Sequence, residues 1–175
     1  MPSLEKLEYK LDSRGFGLYN LFSDVLPGQV NCTTTQHGVV RAFHKHNKQI
    51  DRWVCVKGNI HVILIEELNG HELNKYDWHK YVRLNTDEHI IGLPILTKFG
   101  FYAGHETIAK ITHHHIGERN QQVLTIPPGI YHGFTPLYNQ DATLLYYADK
   151  KYNPNDELRL RYDFFGESLW SVENK

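Results

Sequence analysis

Two histidines one residue apart, His44 and His46, sit in the run GVVRAFHKHNKQIDRWVCVKG (residues 38–58), and Asp51 follows five positions after His46. Imidazoles and a carboxylate at such spacing serve one of two kinds of chemistry. They ligate a divalent cation, or as free groups they take and return a proton. On a strand the side chains at i and i+2 leave the same face, so His44 and His46 look into one cavity, with Arg41 on the other parity unless a bulge intervenes. A later PPGIYHGF run adds His132. With it, His44, His46, Asp51 and His132 would make a set of three imidazoles and one carboxylate suited to a first-row divalent ion. A cation on His44 would occupy the lone pair that a base needs, so one histidine cannot do both at once.

The elements that must position these groups are short. QVNCTTTQ, GVVRAF, RWVCV, NIHVILIEE, QQVLTIPPG and ATLLYYAD are rich in Val, Ile, Thr and aromatics and are separated by Gly, Pro and Asn. That pattern predicts an all-β barrel of two facing sheets, open at one end for a ligand, with few short helices. The best helix candidate is DELRLRYDFF, which reads equally well as an extended arm. Residues 68–104 fit the strand pattern least and read as an elaborated loop or extra hairpin. The run His113, His114, His115 reads as a solvated loop, and LLYY must turn one of its two tyrosines inward.

At 175 residues the chain suits one domain with a single core. Nineteen basic against twenty acidic residues give a net charge of -1, which announces no basic face. A small-molecule ligand is therefore expected rather than nucleic acid or an anionic membrane. The start, MPSLEKLEYKLD, lacks the apolar core of a secretory signal, and no apolar run approaches the ~18 residues of a membrane span, so a cytoplasmic protein is expected. Cys32 and Cys55 lie in strand-like segments and are expected to be buried free thiols. Twelve histidines and eleven tyrosines are many for this length and belong in a polar pocket.

The spacing of Gly38, His44, His46, Asp51 and Gly58, with His132 later, resembles the two sequence boxes of the cupin superfamily, although Asp51 stands where a glutamate is usual. Five ordered stretches, DSRGFG, QVNCTTTQHGVVRAFH, IGERNQQVLTIPPGIYHGF, ATLLYYADKKYNP and DELRLRYDFFGESLW, resemble the dTDP-4-dehydrorhamnose 3,5-epimerase family of cupins. The resemblance implies a cupin (jelly-roll) barrel that epimerises a nucleotide-linked 4-keto-6-deoxy sugar, without a cofactor, for deoxysugar and cell-surface polysaccharide synthesis. It also implies a homodimer whose N-terminal strand joins the partner's sheet. By motif, His44 would be the base, Asp163 the carboxylate that orients it, and Tyr146 the opposing acid. Arg14 and Arg41 would hold the diphosphate, Phe16 would lie beside the base or sugar, and His132 would face the keto oxygen. The Asn31–Cys32 step and Arg52 complete the expected substrate set.

The chemistry asks for such a set. A 4-keto group acidifies the flanking C–H bonds, and inversion needs a base on one face of the ring and a donor on the other. A carboxylate on the second imidazole nitrogen fixes the tautomer, a hydrogen-bond donor stabilises the enolate, and guanidinium forks suit phosphate oxygens. Three positions depart from the family pattern. Ala42 replaces a glycine, His46 a glutamine and Asp51 a lysine, and the last two changes move the site toward metal binding. Arg52 or Lys48 would restore the lost charge. A metal-dependent cupin enzyme, a sugar-nucleotide 3,4-ketoisomerase and a non-catalytic sugar-binding cupin remain as alternatives.

Overall fold

The computed structural model describes residues 8–21, 27–76, 82–84, 89–96, 98 and 102–171. Among them lie thirteen strands: β1 (Glu8–Asp12), β2 (Gly15–Leu21), β3 (Gln29–Thr35), β4 (Arg41–His46), β5 (Asp51–Lys57), β6 (Asn59–Glu67), β7 (Val82–Leu84), β8 (His89–Leu96), β9 (Tyr102–Gly117), β10 (Leu124–Ile126), β11 (Ile130–Pro136), β12 (Ala142–Ala148) and β13 (Glu157–Arg159). They form two sheets, ordered β1-β2-β3-β12-β5-β10 and β13-β4-β11-β6-β9-β8-β7. The fold is the all-β cupin barrel, with no helix beyond single 3₁₀ turns among the described residues. None of those residues forms a helix long and apolar enough to cross a membrane.

Strand parity divides the apolar residues between two cores. Ile60 and Val62 of β6 face inward and pack with Trp53, Cys55, Ile126, Phe134 and Leu144 between the sheets. Ile63 and Ile65 face outward and pack with Phe43, Tyr131, Leu160, Leu169 and Trp170. The second sheet is thus covered on both faces, which is why NIHVILIEE reads as a nearly continuous apolar run rather than an alternating one. The tight β5–β6 link needs Gly58, whose φ is 74° and whose missing Cβ would lie 2.6 Å from the Asp141 carbonyl oxygen.

The outer cover comes from the C-terminal segment, where of the two readings left open for residues 156–165, helix or extended arm, no α-helix is formed. Glu157–Arg159 is extended instead, and residues 162–165 turn. β13 pairs with β4, and Phe43 and Leu160 exchange two backbone hydrogen bonds of 3.0 Å each. Ladder bonds to β4 satisfy the backbone groups that a helix would have satisfied internally. A 3₁₀ turn, Glu167–Trp170, then lays Trp170 against Phe43 with ring centroids 5.1 Å apart.

The histidine run is likewise no loop, because β9 pairs with β6 along Asn59–Glu67 and carries the three residues into the sheet. His61 sits opposite His115, and its Nε2 is 2.7 Å from Nδ1 of His113. Within residues 68–104, β7 and β8 extend the second sheet beyond β9. Leu73 enters the outer core, and its backbone N–H donates to Glu67 at 2.6 Å. Glu67 also pairs with the buried Lys45, whose ammonium lies 4.6 Å from the centre of the Tyr131 ring. Both cysteines are free; Cys55 is buried, its thiol pushed up to about 11 by burial, whereas Cys32 is only half-buried.

Candidate functional site

The two inner faces enclose a cavity of about 620 Å³. Its floor is built from both sheets. β4 supplies His44 and His46 and β5 of the other sheet supplies Asp51, while His132 of β11 is buried against His44 without lining the cavity itself. One ligand atom from each of the four lies within 4.8 Å of every other. His132 stands opposite His44 in the β4–β11 ladder, whereas Phe134 stands opposite Arg41. Two residues on β11 thus span three on β4. That bulge turns Arg41 onto the cavity side, against the parity expectation, where its Nε donates to Thr35 Oγ1 at 2.7 Å.

The hydrogen bonds fix how the cluster is set. His132 Nδ1 is 2.9 Å from the Ile130 carbonyl, which can only accept, so Nδ1 carries the hydrogen. Its Nε2 then faces His44 Nε2 at 2.9 Å and Asp51 Oδ2 at 3.5 Å. Two imidazole nitrogens and a carboxylate oxygen converge where only a shared proton or a cation satisfies all three. Burial, then the neighbouring His132 and His46, pushes the His44 imidazole well below its ordinary value. Burial lowers His46 as well. Burial works against ionisation of Asp51, but the adjoining His132 ring and a hydrogen bond from Gln49 outweigh it and hold the carboxyl below its usual range.

Tyr146 of β12 enters the same cavity between its ladder partners Asn31 and Trp53, while Tyr147 takes the other parity. Burial raises its phenol, which is hydrogen-bonded to the Asn31 side chain. Toward the mouth the wall gathers cations: Lys10, Arg14, Arg41, Lys151 and Arg159 all line the cavity, with Glu157 beside them. Arg14 is half exposed and forks onto Asp12, its Nε 3.1 Å from Oδ2.

Several expected residues lie elsewhere. Asp163 does not reach His44. Both of its carboxylate oxygens accept from Arg161, at 2.9 and 2.7 Å, in the turn beyond β13. Arg52 has the opposite parity from Asp51 and Trp53 and is exposed. Phe16 is exposed and does not line the cavity. Of the Asn31–Cys32 step, Asn31 is the fully buried inward residue and Cys32 points the other way. Gln49, Glu157 and Lys151 line the cavity without having been singled out. Gln49 had a signal, its position two before Asp51. Glu157 and Lys151 had none, since only the pairing of the C-terminal segment places them.

No protein-family model matches the chain. It is 28% identical over 138 residues to the spore coat polysaccharide biosynthesis protein SpsL of Bacillus subtilis, covering 78% of this chain and 69% of that one. It is also 28% identical to the probable low-salt glycan biosynthesis epimerase Agl13 of Haloferax volcanii, over 99% of this chain and 98% of that one. Among solved structures, the capsular polysaccharide assembling protein CapF of Staphylococcus aureus matches with a TM-score of 0.57 at 17% identity over 90% of this chain. The chain spans about a third of that protein, 32% of its length. A dTDP sugar isomerase from Desulfovibrio desulfuricans matches with a TM-score of 0.53 at 17% identity, over 91% of this chain and 85% of that one. The resemblance read from the sequence agrees with this similarity to a glycan biosynthesis epimerase and, at the level of the fold alone, with the dTDP sugar isomerase.

Proposed function

We propose that this chain epimerises a nucleotide-linked 4-keto-6-deoxy sugar by taking and returning a proton beside the ketone, in the synthesis of a surface glycan. One observation carries the reading: a single cavity joins a cation-rich mouth to a buried cluster of imidazoles and carboxylate, with the Tyr146 hydroxyl in the same wall. The mouth suits a diphosphate, since Arg41 is anchored by Thr35 and Arg14, Lys10, Lys151 and Arg159 add charge around it. The floor suits a keto group and the charge that develops on its oxygen. Kinship with a glycan biosynthesis epimerase supports the same chemistry.

The donor set also fits a divalent cation, which His44, His46, His132 and Asp51 would hold. When bound, such an ion supplies a Lewis acid that draws charge from the ketone and so acidifies the adjoining C–H. His44 is then a ligand rather than a free base, in keeping with its Nε2 facing His132 and with an Asp163 that does not orient it. Tyr146, protonated at neutral pH and steadied by Asn31, returns the proton. Glu157, opposite His46 in the β13–β4 ladder and lining the cavity, takes it. A homodimer is proposed too, because Leu11 on the edge hairpin is 70% exposed and Phe16 beside it is exposed.

The test is incubation with a panel of 4-keto nucleotide sugars in deuterated water, read by mass and NMR. Label at a carbon beside the ketone, with inverted configuration, is the expected result. A moved carbonyl would make the chain a ketoisomerase, and no label in any sugar would leave it a binding protein. Metal analysis of untagged protein, then assay after chelation and after metal return, tests the cation. Full activity in the chelated protein would restore the metal-free mechanism.

A further inference from the structure

The carboxylate of the cluster is held by residues two places to either side of it, Gln49 in the link before β5 and Trp53 on β5 itself. Gln49, Asp51 and Trp53 alternate at i−2, i and i+2, and all three are turned into the cavity, at 9%, 3% and 3% exposure. On a strand, as for Asp51 and Trp53, side chains two apart are separated by about 6.6 Å at the backbone, beyond contact for small residues but within reach of a tryptophan. Gln49 and Trp53 both lean onto the aspartate. Gln49 Nε2 donates to Oδ1 at 2.6 Å, and the Trp53 indole N–H donates to Oδ2 over a longer 3.4 Å. It is Oδ2 that faces His132 Nε2, at 3.5 Å.

We propose that Gln49 is a positioning residue for the cation site: by engaging Oδ1 it fixes the Asp51 rotamer and presents Oδ2 alone to the ion, with Trp53 as a weaker second support. This rests on the cation reading given above. A carboxylate can turn to offer a cation one oxygen or both, and the amide removes that freedom before the ion arrives. The same bracket explains how an aspartate serves here. Its short side chain has few rotamers to lose, and donors on both flanks settle which one it keeps.

The experiment compares wild type with Gln49→Met, which keeps the side-chain length and loses the donor. The full chain is freed of metal and titrated with cobalt(II) against a chromophoric chelator, the visible cobalt spectrum is recorded, and thermal unfolding of the metal-free protein is measured beside it. Cobalt affinity should fall about 10- to 100-fold. The cobalt spectrum should shift, the metal-free unfolding temperature should stay close to wild type, and Trp53→Phe should lower affinity only a few-fold. If Gln49→Met does not fold, Gln49→Asn, whose amide is one methylene short of Asp51, is read the same way. Wild-type affinity and spectrum in the folded variant would overturn the role of Gln49 and leave the cation site standing. A wild-type protein that takes up no cobalt would overturn both.

Discussion

Replacing His61 by leucine should make the protein less sensitive to acid. His61 is 4% exposed, on the outer face of β6 beneath Trp170 and beside His113 and His115. Burial, and then the two neighbouring imidazoles, pulls it from the ordinary 6.5 down to about 3. The folded imidazole therefore refuses a proton that the unfolded chain accepts, so His61 costs no stability above 6.5 and a growing amount as pH falls below it. Down to about pH 5 that is about 1.5 units at about 1.36 kcal/mol each, or roughly 2 kcal/mol. Sharing of the proton with His113 reduces this to about 1–2 kcal/mol. Urea unfolding of wild type and His61→Leu at about pH 7.5 and at about pH 5 reads the quantity as a double difference, which cancels any packing change. A stability difference between the two proteins that is the same at both pH values would refute the argument.

Tyr146→Phe should keep deuterium exchange and depress inversion about 10²–10⁴-fold, since abstraction survives without the returning donor; equal loss of both in labelling assays would mean that the roles are misassigned. Glu157→Gln should abolish deuterium uptake while leaving cobalt affinity within a few-fold of wild type, and persistent uptake would remove it as the base. Arg41→Ala should weaken binding of the bare nucleoside diphosphate by about 1.5–3 kcal/mol, with a reduced salt dependence, by calorimetry. Arg14→Ala should cost less, because that guanidinium is 49% exposed and already forked onto Asp12. Lys45→Met should lower stability by about 3–5 kcal/mol by urea unfolding, because it leaves the Glu67 carboxylate unpaired under the outer core.

What could be read from the sequence follows from which distances are local. The shared face of His44 and His46 needs only strand parity, and the barrel needs only the succession of short β-branched runs. Asp51 and His132 were placed with them by box spacing, and the cluster does assemble from these four residues. Arg41 could not be placed by parity, because the bulge that turns it inward is set by the β11 partner. Asp163 was misplaced because its segment was aligned by motif, whereas Arg161, two residues before it, captures both oxygens. Three consecutive histidines carry no alternation, so nothing local distinguishes a strand from a loop there. Only pairing with β6 makes His113 and His115 neighbours on one face.

The cluster takes three of its members from one sheet and Asp51 from the other. Whatever closes it therefore staples the sandwich across its mid-plane, and ligation and cohesion of the two sheets become one thermodynamic event. An ion at about a hundred times its dissociation constant would add about 2.7 kcal/mol to the folded state. On the cation reading, protein short of its ion would be looser and more open to proteolysis, so ion supply would govern how much of the protein persists as well as the proposed activity.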